Sequence, residues 1–205
     1  MSSNLNRKSK VIRGAGNFLG VKQSGHIAAI GFDIYCQLLA EAVEELKAMQ
    51  TGEVRRKETE FTPSIALPLT AYIPEGYVPN LNTRLSLYRR LAEVEHIKET
   101  EDIAQELRDR FGALLEPVKN LLYAVKAKVM ATKAEVSSIS TQGRQIVIRP
   151  KELLATSEVK QSLSEHYRGA VKVGTTQIRL DTKYPGIKWT DVLEEVLRSM
   201  TTKAT

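Results

Sequence analysis

The spacing of the apolar residues changes once along this chain, near Lys133, and that change limits the folds open to it. Before it, apolar side chains recur every three or four residues, the interval that gathers one face of a helix. Leu85, Tyr88, Leu91 and Ala92 predict a first helix, for which Asn82 or Thr83 can act as cap, with Arg84, Arg89 and Arg90 on a solvated outer face. Ile103, Leu107 and Phe111 predict a second, from about Glu101 to Phe111, with Thr100 as cap, Glu101 and Asp102 at its positive end and Gly112 at its stop. Pro117 suits the first turn of a third, which continues through Val118, Leu121, Leu122, Val125 and Val129. Short connections make these helices antiparallel neighbours. After Lys133 the pattern becomes that of strands: Val136 to Ser140 and Ile146 to Arg149 flank the turn Thr141 to Arg144 and predict a hairpin. A helical piece from Lys151 to Tyr167 leads to a second pair, Ala170 to Val173 and Gln177 to Leu180, turned at Gly174. Trp189, Val192, Leu193, Val196, Leu197 and Met200 then line one face of a closing helix. The expected class is α+β: a layer of about four to five helices, antiparallel hairpin strands and a carboxy-terminal helix, over residues 60–205.

Upstream, Phe32, Tyr35, Leu39, Ala42, Val43 and Leu46 predict a further helix over about 31–49, ended at Thr51-Gly52. Residues 53–60 are charged and read as a linker, so 31–59 form a helix-and-linker unit. Phe61 to Tyr72, interrupted by Pro63 and Pro68, suits irregular or edge strand, and 73–80 is rich in turn residues.

Residues 1–30 stand apart through charge. The formal net charge of +6 resembles a nucleic-acid signal until it is located. Arg7, Lys8, Lys10, Arg13 and Lys22 lie in this stretch with no Asp or Glu, leaving 25 basic and 24 acidic residues for the rest. Four of the 12 glycines, Gly14, Gly16, Gly20 and Gly25, fall within it too. Residues 1–30 are therefore a basic, glycine-rich tail, either a loop shaped to meet a partner or a solvated extension. A body of mixed charge gives little support to phosphate binding over a broad face.

Several chemistries lack their sequence signatures. There is no G-x-x-x-x-G-K-[ST] phosphate loop, and Gly14 to Gly20 is one residue too long for the dinucleotide fingerprint and follows no βαβ strand. His26, His96 and His166 are scattered, and with Cys36 alone they make no zinc spacing. Cys36 sits on the predicted 31–49 helix as a small packing residue. No apolar run approaches the roughly 20 residues that span a bilayer. We therefore expect no cofactor, no metal, no membrane association, a cytoplasmic location and no enzyme activity in the chain alone.

Two groups of residues carry a resemblance. Arg13-Gly14-Ala15-Gly16-Asn17-Phe18-Leu19-Gly20, continuing to Gln23-Ser24-Gly25, is similar to the end of the translocation motif shared by the transcription-repair coupling factor and the RecG helicase. Gly31 to Tyr35, Pro79 to Arg90 and Glu106 to Gly112 resemble the carboxy-terminal domain specific to the coupling factor. This resemblance implies a non-catalytic regulatory domain of an ATP-dependent DNA translocase that displaces stalled RNA polymerase and recruits excision repair through UvrA. It implies that the domain masks the UvrA-binding module of the same protein, through Glu106, Asp109 and Arg110, until polymerase is engaged. It also assigns Arg13, Gly14, Gly16, Gln23, Ser24 and Gly25 to coupling ATP hydrolysis with movement on duplex DNA. The motor motifs themselves lie outside this sequence, so that coupling element is expected to be inactive and poorly ordered here. The alternative function is a DNA-binding accessory protein acting through basic residues 1–30, and the alternative for Glu106 and Asp109 is an ordinary solvated helix face.

Overall fold

A computed structural model gives the fold, with residues 62–152, 163, 165–167 and 169–201 described. Four helices, α1 (Leu81–Ala92), α2 (Ile97–Phe111), α3 (Glu116–Lys133) and α4 (Trp189–Thr201), accompany five strands. The strands are β1 (Ser64–Ala66), β2 (Val136–Gln142), β3 (Gln145–Pro150), β4 (Val171–Val173) and β5 (Ile178–Asp181). They form one sheet in the order β1-β2-β3-β5-β4. The class is α+β, as the periodicity indicates. The two hairpins are antiparallel, whereas β1 joins the edge in parallel, with Ile65 opposite Ile139. The β2–β3 turn places Gly143 at φ 61, the first central position of a two-residue loop where glycine relieves the steric cost.

Register sorts the strand residues. Ile139, Ile148 and Ile178 align across β2, β3 and β5, with Ile146 beside Leu180 and Leu180 beside Val171. All are buried in one core with Ile65, Leu163 and the α4 residues Val192, Leu193, Val196, Leu197 and Met200. A second core gathers Leu87, Tyr88 and Leu91 of α1, Ile103, Ala104 and Leu107 of α2, and Ala71, Ile73, Tyr77 and Val78 of the segment before α1.

Helix α3 belongs to both. Val118, Leu121, Leu122, Val125 and Val129 lie in the helical core, while Met130 and Ala131 lie in the sheet core. It buries nine residues, distributed around its circumference, as a helix covered on several sides must. Helix α4 is pinned to it by polar contacts as well: Tyr123 donates its hydroxyl hydrogen to the Thr190 carbonyl at 2.9 Å, and Lys126 reaches both Glu194 carboxylate oxygens at 2.8 Å. The Trp189 ring meets Tyr123 edge-on at 6.0 Å. Burial, with Glu194 and then Asp191 adding repulsion, pushes the Tyr123 phenol upward, so it stays a neutral donor.

Three local expectations are corrected. Asn80, rather than Asn82 or Thr83, caps α1, its Oδ1 accepting from the Thr83 N–H at 2.9 Å. Helix α2 starts at Ile97, and Thr100 is buried inside it instead of capping it. The Glu99 carboxylate accepts from the Glu95 N–H at 3.1 Å, satisfying a donor just ahead of that end. Arg84 is not on a solvated face: it is 5% exposed and donates from Nη1 to the Val78 and Pro79 carbonyls at 2.6 and 2.9 Å. Burying a guanidinium is tolerable when its donors are satisfied, and here it fastens the turn that leads into α1. The helix predicted over 31–49 and most of the 151–167 piece lie outside the described residues.

Gly112 ends α2 at φ 84 and ψ −161, a region that L side chains avoid. An added Cβ would meet nothing within 4 Å, so the cost of replacing this glycine is that of the backbone alone. Gly112→Ala should destabilise the domain by about 1–3 kcal/mol in urea denaturation; an unchanged midpoint would contradict the assigned conformation.

Candidate interaction surface on α2

The end of α2 is built by its neighbours. Tyr77, from the turn before α1, brings its hydroxyl within hydrogen-bonding reach of two carbonyls at the end of the helix, Leu107 O at 3.1 Å and Gly112 O at 3.0 Å. Burial raises the Tyr77 pKa, with nearby Arg108 opposing. The Tyr77 ring packs on Phe111 at 5.8 Å, and Arg110 lies over the same Phe111 ring at 5.0 Å.

Glu106, Asp109 and Arg110 are brought together here, but they are not equivalent. Glu106 is clamped between helices: Oε2 meets Arg90 Nη1 of α1 at 2.7 Å, and Oε1 meets Arg110 Nη1 at 2.6 Å. Both arginines sit in the last turn of their helices, where the carbonyl ends favour positive charge. The hydrogen bond from Arg90 is the main reason the Glu106 carboxyl titrates below its usual range; burial pushes the other way and Arg110 reinforces Arg90. Asp109, one turn on, is exposed and accepts only from Gln105 Nε2, at 2.8 Å; it makes no ion pair among the described residues. Arg108 donates to Gln105 Oε1 at 3.0 Å, so the Gln105 amide bridges the two.

Sequence spacing alone missed the partnership of Arg90 with Glu106 and the capping role of Tyr77. The i, i+4 relation of Glu106 to Arg110 was the visible half of the clamp. Arg13, Gly14, Gly16, Gln23, Ser24 and Gly25, the expected coupling residues, lie outside the described residues. Among the described residues no group of three His, Cys, Asp or Glu side chains is placed to hold a metal, and no helix is long and apolar enough to cross a membrane.

The surface lies within residues 67–160, which match the TRCF domain family. A transcription-repair-coupling factor of Staphylococcus haemolyticus is 34% identical over 197 residues, 92% of this chain and 16% of that protein. The chain belongs to the transcription-repair-coupling factor family. The relative from Myxococcus xanthus is 44% identical over 110 residues, 54% of this chain and 9% of its own length, and the one from Escherichia coli K12 is 38% identical over 128 residues, 62% and 11%. The chain thus spans about a tenth to a sixth of the length of these coupling factors. Its fold is similar to the crystal structure of the C-terminal domain of a transcription-repair coupling factor, with a TM-score of 0.53 and 19% identity over 72% of this chain and 99% of that one.

A carboxyl with a lower pKa folded than unfolded stabilises the fold above its unfolded value of about 4.3, and that contribution is lost as pH falls through the folded value. Glu106→Gln should therefore cost no more than about 1 kcal/mol near neutral pH, as half-exposed ion pairs do. The gap between the variants should close on acidification. Denaturant midpoints measured at several pH values down to about 3 check this, and a gap that persists in acid would show that charge is not its source.

Proposed function

We propose that this domain is a non-catalytic regulatory element of a larger DNA translocase. On this reading it masks that protein's UvrA-binding module until RNA polymerase is engaged, in transcription-coupled repair. Family membership supports the setting. The observation that carries the surface is the asymmetry at the end of α2: Asp109 is exposed without an ion-pair partner among the described residues, whereas Glu106 is already neutralised by Arg90 and Arg110.

That asymmetry divides the roles. Asp109 is the acidic group that a basic partner residue can engage without first breaking a salt bridge. Glu106 holds the α1–α2 end in shape and aims Arg110, which can then meet an acidic or carbonyl group of the same partner. A charge pair that becomes buried on docking is worth more than one left on a rim, so the effect of Asp109 on binding should exceed its effect on stability.

The test is calorimetric titration of this chain with the UvrA-binding module of its own full-length protein. Asp109→Arg should weaken association at least tenfold, about 1.4 kcal/mol, without shifting the unfolding midpoint. Glu106→Gln should lower both modestly. Absence of association by the unaltered chain would sink the masking role, and association indifferent to Asp109→Arg would sink this surface.

A further inference from the structure

The sheet has a second face, turned away from its core, which masking at the end of α2 does not use. Strand alternation places Ser138 and Ser140 of β2, Val147 and Arg149 of β3, Arg179 of β5 and Lys172 of β4 on it. Lys172 and Arg179 are exposed and lie directly opposite each other. Like charges in that position destabilise a strand pair. None of Arg149, Arg179 and Lys172 has an ion-pair partner among the described residues, although acidic side chains neutralise cations at the end of α2 and along α4. The one carboxylate on this face, Asp181, lies at its far end, 3.9 Å from Arg144.

The two arginines are held in place rather than waving in solvent. Arg149 Nη1 reaches the Ser140 hydroxyl at 3.3 Å. With the Gln177 amide turned so that both its atoms are satisfied, its oxygen accepts from Arg179 Nη2 at 2.8 Å and Nε at 3.1 Å. Between these arms lies Val147, opposite Ser140 and Arg179, and it is fully buried although it faces away from the sheet core. Three adjacent strands, β3, β5 and β4, thus carry one cation each on this face, across roughly 10 Å.

We propose that this face binds the phosphate backbone of duplex nucleic acid without reading sequence. Arginine, lysine, serine and glutamine donors are the groups that contact phosphates. Among the described residues the face exposes no aromatic ring for stacking single-stranded bases and no large apolar anchor of the kind that dominates protein interfaces. An anionic backbone would relieve the Lys172–Arg179 repulsion that the free domain bears. The inference stands apart from the masking role, since it uses different residues.

Fluorescence anisotropy with a labelled random-sequence duplex of about 20 base pairs, followed across salt concentrations, tests it on the full chain. Lys172→Gln with Arg179→Gln should weaken binding about tenfold at low salt and make the log–log salt slope shallower by about 2, while leaving the thermal midpoint unchanged or higher. Lys172→Gln alone, on an exposed edge strand, should make it shallower by about 1 and guards against misfolding of the double variant. Unchanged affinity and slope in both would overturn the proposal. So would a loss of binding confined to a variant neutralised at Arg7, Lys8 and Lys10. A polyglutamate peptide forms the second arm: if the double variant loses that peptide but keeps the duplex, the face is an acidic-protein site and the proposal fails.

Discussion

The structure depends on the double burial of α3. Its first turns complete the helical core through Val118, Leu121 and Val125, and its last turn completes the sheet core through Met130 and Ala131. Neither half can close without it. Removing a large side chain such as Leu121 from a filled core typically costs about 2–5 kcal/mol, a sizeable share of the net stability of a domain this size. The polar fastening of α4 through Tyr123 and Lys126 uses the flank of α3 that the cores leave over.

This arrangement fixes the geometry at the end of α2. Both α1 and α2 rest on α3, and the Glu106 clamp fixes the end of one against the end of the other. Tyr77 and Arg84 do for the preceding turn what the clamp does for the helices, each donating from its side chain to backbone carbonyls, Tyr77 at the end of α2 and Arg84 at Val78 and Pro79. The positions of Glu106, Asp109 and Arg110 are therefore set by packed helices rather than by loop conformation.

The elements were largely legible in the sequence because burial imposes a period. The closing helix shows this: Val192, Leu193, Val196, Leu197 and Met200 are all buried, as their spacing requires. Where the sequence was silent, the deciding fact was tertiary. Thr100 has the chemistry of a cap, but its place in the packing puts it inside α2. Arg84 is a surface residue by type and becomes a core fastener only because two carbonyls converge on it. Alternation in β1 could mark an edge strand but not its direction, which depends on where the chain enters the sheet. The acidic pattern of α2 was visible. That Glu106 is already spoken for and Asp109 is not depends on the approach of Arg90 from another helix.

That entry of β1 has a mechanical meaning. The strand is three residues long, lies at the sheet edge, and is held by its pairing with β2 and by the Thr141 hydroxyl, which donates to the Ala66 carbonyl at 2.8 Å. It is the first described element after residues 1–61, and through Ile65 it is itself part of the sheet core. The pairing is short, yet stripping β1 would also draw Ile65 out of the core it shares with α3, the two hairpins and α4. The point where the chain enters the domain is thereby tied to its interior by one buried side chain.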